Sequence, residues 1–244
     1  ARLTGEAGVR DVLVIGGGLE KPAGELTGTM DVLGAFNRFF PRYLAALAKD
    51  DWPIDVFAAH LYPAAVDGPD TRALFIDAVQ QQLESAQAPD LPLWDTELNY
   101  GLAGPGPTNP RQDITGAKAR DWVVRTALYS LRQGVARTYW YLWTPEPYAL
   151  LGMQFTNDSG AVTGLRVVDQ WLIGGTWGGC TSQGTAVACD VTKNGVTSVI
   201  AWSPTGVGSI TVPDGYTQVC DTANDCTDVA GQISLTADPV RFVA

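Results

Sequence analysis

Positive charge, histidine and early cysteine are what this sequence has least of. Lys and Arg together number 16 against 26 Asp and Glu, a formal net charge of −10 over 244 residues. Such a chain repels phosphate backbones and anionic lipid, which argues against nucleic acid and membrane surfaces as partners. No apolar run approaches the roughly 18 residues of a membrane span. The opening Ala1-Arg2-Leu3-Thr4-Gly5 also lacks the basic start and apolar stretch of a signal peptide. Histidine occurs once, as His60, and no C-x-x-C pair is present. A zinc site is therefore the weaker competitor for the cysteines, and neither a metal nor an organic cofactor is implied. Cysteine is absent before Cys180, and the four cysteines of the chain fall at short gaps. Their spacing predicts two local disulfides, Cys180–Cys189 and Cys220–Cys226, formed in an oxidising compartment. The expectation is a secreted or cell-surface protein whose export signal lies outside this chain.

What the chain has in quantity is apolar residue, 45% of the total with 9% aromatic, ample for a packed core. Up to about residue 175, short runs rich in Val, Ile, Leu, Phe, Tyr and Trp alternate with longer amphipathic stretches. Residues 11–15, 54–59, 91–95 and 136–142 are the predicted strands. Residues 28–50 place Leu33, Phe36, Phe39, Phe40, Leu44 and Leu47 on one helical face, with Pro41 as a kink. Further helices are predicted over 71–86, over 116–133 (ending at Gly134) and near 163–173. Strand then helix, four times over, implies a parallel α/β sheet. A full (β/α)8 barrel takes about 250 residues, so four strands supply half a barrel or else an open doubly wound sheet. From Thr176 onward Gly, Thr, Ser and Val dominate, and Lys193-Asn194-Gly195 and Pro213-Asp214-Gly215 mark turns between alternating runs. This is the pattern of a small antiparallel β domain, whose thin core makes disulfide staples useful. The expected domains are 1–175 and 176–244.

Each predicted strand ends in residues suited to a site at the C-terminal edge of a parallel sheet. The first runs into Gly16-Gly17-Gly18 and the second into His60-Leu61-Tyr62-Pro63. The third gives Trp94-Asp95-Thr96-Glu97 and then Asn99, and the fourth gives Trp140-Tyr141-Leu142-Trp143. Side chains alternate along a strand, so His60 and Tyr62 are expected on one face. The same rule groups Asp95, Glu97 and Asn99, and likewise Tyr139, Tyr141 and Trp143. The order of these endings resembles strands five to eight of a retaining glycoside hydrolase barrel, in the clan that includes cellulases and β-xylosidases. The resemblance implies an α/β fold class: the C-terminal half of a (β/α)8 barrel followed by a small antiparallel β-sandwich.

It also implies roles. Glu97 stands at the nucleophile position, His60, Tyr62 and Asn99 would position it and the sugar hydroxyls, and Trp143, or else Trp140, would be the sugar platform. Retaining hydrolysis needs two carboxyl groups roughly 5–5.5 Å apart, a nucleophile and an acid/base. In the clan the acid/base comes after an asparagine, and no Asn-Glu pair occurs among Glu6, Glu20, Glu25, Glu84, Glu97 and Glu146. The acid/base is thus expected from an N-terminal half of the barrel, on a separate or cleaved polypeptide. The competing readings are a catalytically silent carbohydrate-binding or cell-surface assembly protein on the same frame, and an open-sheet enzyme of unrelated chemistry. Glu97 could also be a structural partner of Arg125 or Arg137. A dinucleotide-binding reading of Gly16-Gly17-Gly18 fails because Lys21 occupies the third fingerprint position. Asn157-Asp158-Ser159 matches a glycosylation sequon.

Overall fold

The computed structural model describes residues 12–15, 40–103 and 110–244. The glycine run at 16–18, and Leu33, Phe36 and Phe39 of the predicted first helix, lie outside the described residues. The chain divides into two compact units, residues 1–114 with 133–154, and residues 115–132 with 155–244. Among the described residues no helix is long and apolar enough to cross a membrane.

Unit one holds a four-stranded parallel sheet in sequential order. Its strands are β1 (Val12–Ile15), β2 (Phe57–Leu61), β3 (Leu93–Leu98) and β4 (Val135–Trp140). Helix α1 is described over 40–49, and α2 spans Pro69–Ser85. One sheet face carries Phe57, Ala59, Leu61, Leu93 and Val135, which pack with Phe40 and Leu44 of α1 and with Phe75, Ile76 and Val79 of α2. Both helices therefore cover the same side of the sheet. β2 and β3 run later than the apolar runs at 54–59 and 91–95 predict. Pro92 lacks the N–H that a ladder needs, so β3 begins after it and β2 pairs only from Phe57, opposite Leu93. Pairing then continues through polar His60 and Glu97, because a parallel ladder is held by backbone groups.

Unit two combines two helices with antiparallel strands. α3 (Gly116–Arg132) and α4 (Gly160–Trp171) approach closely at small residues. A Cβ added at Gly164 would meet the Arg120 carbonyl at 2.6 Å. α4 starts earlier than its apolar period predicts, because Ser159 caps it by accepting from the Val162 N–H at 3.3 Å. The strands are β5 (Thr176–Gln183), β6 (Ala186–Lys193), β7 (Val196–Trp202), β8 (Gly208–Thr211), β9 (Gln218–Cys220), β10 (Cys226–Asp228), β11 (Gln232–Leu235) and β12 (Val240–Val243). Six form a sheet in the order β10-β9-β12-β7-β6-β5, and β8 pairs with β11. Val199, Ala201 and Phe242 of the large sheet pack with Ile210 and Leu235 of the small one. Helices contact residues of the large sheet and its β9–β10 turn. The Tyr129 ring of α3 meets Trp202 edge-on at 5.9 Å, and Arg120 Nε donates to Thr222 Oγ1 at 2.8 Å.

Both disulfides form as the spacing predicts, and each joins residues directly opposite one another, in β5 and β6 and in β9 and β10. The Lys193-Asn194-Gly195 turn is also where it was expected. Asn194 at φ 53° and Gly195 at φ 78° give the two left-handed positions that a tight hairpin between β6 and β7 requires.

Candidate active site

Two carboxylates stand two positions apart on β3, and the strand sends them in opposite directions. Regular alternation would put Asp95 and Glu97 on one face, but Ala59 pairs with Asp95 while the next residue, His60, pairs with Glu97. β3 carries one more residue than β4 over the same stretch, since Asp95 and Leu98 face Thr138 and Trp140. The extra residue, Thr96, makes a bulge that re-aims the remainder of the strand. Asp95 consequently faces α2, where Arg72 Nε donates to its Oδ2 at 2.8 Å with both side chains fully buried. The Leu61 N–H donates to Asp95 Oδ1 at 3.2 Å. Burial raises the Asp95 carboxyl above its ordinary range, against the opposing charge and hydrogen bond of Arg72. The expected shared face of Asp95, Glu97 and Asn99 is thus corrected by the bulge.

Glu97 emerges on the other face with His60 and Tyr62. The Tyr62 hydroxyl donates to Glu97 Oε1 at 2.7 Å, and His60 Nδ1 lies 3.6 Å from Oε2. The His60 and Tyr62 rings stand edge-to-face at 6.4 Å. The Glu97 side chain keeps 33% of its surface open, so it is held from two sides yet reachable. Tyr62 is pushed far above its ordinary value, first by burial and then by the hydrogen bond and charge of Glu97. The shift favours the neutral phenol that donates to Glu97. No arginine among the described residues contacts Glu97; Arg137 instead lies over the Trp94 ring at 4.9 Å. Tyr141 also acts electrostatically on Tyr62. The period-two pattern of β4 groups Tyr141 with Tyr139 and Trp143.

The remaining candidates separate. Trp143 is 56% exposed, and the Tyr141 and Tyr148 rings meet edge-on at 6.3 Å. Trp140 is half-buried, 5.9 Å from the buried Tyr100 ring. Asn99 is fully buried, and its amide is committed to backbone rather than open to a sugar. Its Nδ2 donates to the Tyr141 and Met153 carbonyls at 2.6 and 2.9 Å, and its Oδ1 accepts from the Tyr100 and Met153 N–H groups at 2.7 and 3.2 Å. Asn99 thereby ties the end of β3 to the aromatic segment after β4. Replacing it with aspartate would turn an acceptor toward two carbonyls. Asn99→Asp is expected to lose about 3 kcal/mol or more, read as a fall in Tm of ~10 °C.

No protein-family model matches the sequence, and no curated protein matches it. Among solved structures, a family 39 glycoside hydrolase from the gut symbiont Bacteroides cellulosilyticus WH2 superposes with a TM-score of 0.55 at 16% identity, covering 82% of this chain and 46% of that one. A glucosidase from Croceicoccus marinus gives 0.48 at 15% identity, with 81% and 42% covered. A family 39 β-xylosidase from Caulobacter crescentus gives 0.47 at 14% identity, with 83% and 54% covered. The chain spans about half the length of these structures. Its fold is similar to that part of a family 39 glycoside hydrolase.

Proposed function

We propose that this chain carries the nucleophile of a secreted retaining glycoside hydrolase acting on β-linked poly- or oligosaccharide. The observation that carries it is the clasp on Glu97, a carboxylate with a hydroxyl donor on one oxygen at 2.7 Å and an imidazole near the other at 3.6 Å. A nucleophile of this kind must be ionised, fixed in direction and accessible. Hydrogen bonding to the charged form favours the first, and the bulge supplies the second. Attack on the anomeric carbon forms a covalent glycosyl-enzyme at Glu97, which water then hydrolyses. Trp143 offers an exposed indole for the apolar face of a pyranose.

The reading takes residues 1–175 as strands five to eight of a (β/α)8 barrel and 176–244 as an appended β-sandwich. The acid/base then comes from the N-terminal half of the barrel. The chain covers 46% of the family 39 structure, so that fold has room for further strands. The decisive experiment treats the assembled protein, with all that copurifies, with a fluorinated glycosyl fluoride or an epoxide glycoside. Peptide mapping should find the label on Glu97. Label on another residue, or none, removes the assignment and favours a silent carbohydrate-binding protein.

Tyr62 provides a finer check. Tyr62→Phe removes one hydrogen bond to a charged group, about 1.5–3 kcal/mol. The expected result is a fall in kcat of about 10- to 100-fold with KM little changed.

A further inference from the structure

Unit two contains a concavity of about 450 Å³ that has no part in the chemistry above. It forms where the last turn of α4, the β6–β7 hairpin and strands β7 and β12 meet. Its lining includes Trp171, Lys193, Asn194, Ser198, Arg241 and Val243. Two of these are cations, and among the described residues no carboxylate side chain lines the space, in a chain whose net charge is −10.

Each cation is held in place with donors to spare. Arg241, opposite Ile200 in the β7–β12 ladder, lays its guanidinium over the Trp171 ring at 5.3 Å. Its Nε is buried and has no hydrogen-bond partner among the described residues. Burial pulls the Arg241 guanidinium below its ordinary value, the mark of a cation short of compensating contacts. Lys193 Nζ donates to the Asp169 and Gln170 carbonyls at 2.8 and 3.1 Å, closing the C-terminal end of α4. An ammonium has three donors, so one remains. Trp171 is only 1% exposed and donates through Nε1 to Asn224 at 3.4 Å. It therefore serves as a floor for the guanidinium. The Ser198 hydroxyl and Asn194 amide add neutral donors, and Val196 of the same rim is 66% exposed.

A planar guanidinium pairs with a carboxylate through two parallel hydrogen bonds. The volume exceeds what a bare carboxylate needs and falls in the range of small-molecule sites. We propose that this concavity binds an acidic sugar unit, a uronate, with Arg241 and Lys193 taking its carboxylate and the rim valines meeting its ring. The anion half of this assignment stands on unit two alone, and the sugar half rests on the glycosidase reading.

The test titrates the full chain with methyl β-D-glucuronide, methyl β-D-glucoside and acetate at low ionic strength, following binding calorimetrically. Saturable binding is expected for the glucuronide and not for the glucoside. Arg241→Met keeps an apolar stem over Trp171 and should weaken binding by about tenfold or more. Lys193→Gln should weaken it several-fold, and it serves alone if the Arg241 variant does not fold. No binding of the glucuronide, or unchanged binding in the variants, overturns the site. Acetate binding as tightly as the glucuronide overturns the sugar assignment. Binding is read without turnover, so failure to label Glu97 and failure here are separate results.

Discussion

With Glu97 as the proposed nucleophile, Glu97→Ala is expected to lower kcat by about 10⁴-fold or more, equivalent to ~5.5 kcal/mol of transition-state stabilisation. On that proposal the loss stems from the chemistry, since a glycosyl-enzyme needs a carboxylate at this position. Asp95 cannot substitute, because it is fully buried against Arg72 on the other side of the sheet. The fold should be almost unaffected. Glu97 is one-third open and its contacts are one hydroxyl and one imidazole, so the change in Tm should stay within a few degrees. Added azide gives the clearest readout. A small anion entering the vacated space can attack the anomeric carbon and displace an activated leaving group, giving a glycosyl azide of inverted configuration. Wild-type turnover in Glu97→Ala would end the proposal, whereas an inactive variant that azide restores would locate the nucleophile.

The largest effect on stability is expected one strand position away in the pairing. Asp95→Ala should destabilise the protein by about 3–5 kcal/mol, because it strands a buried guanidinium. Thermal or urea denaturation should register this as a fall of ~10 °C in Tm. The pair links α2 to β3, and Arg72 Nη2 also reaches Thr138 Oγ1 of β4 at 3.4 Å. Its removal therefore loosens the strand that presents Glu97. Arg72→Met combined with Asp95→Leu should recover most of the stability, since the apolar pair needs no compensating charge. Recovery stays incomplete because the Leu61 N–H loses its acceptor. A single Asp95→Ala variant as stable as the parent would contradict this account.

Much of the scaffold was legible because it is written in periodicity and local spacing. The helices α2 and α3, the Asn194-Gly195 turn and both disulfides depend on neighbours close in sequence, and they lie where the patterns put them. The strand ends were harder, since hydropathy falls at His60 and Glu97 while backbone pairing does not. The bulge at Thr96 was invisible, because two-residue alternation contains no term for an inserted residue. For the same reason Asp95 and Glu97 were grouped together, and the Arg72–Asp95 pair went unseen across 23 residues of chain. Asn99 looked like a sugar ligand because an exposed amide and a buried one have the same letter. Its four backbone partners are brought together by the loop after β4, which no short window reveals.

The inserted Thr96 makes β3 a selector between two acids. Without Thr96 the two acids would be adjacent on a regular strand and alternation alone would part them; with it, the bulge keeps them apart although they stand two positions from each other.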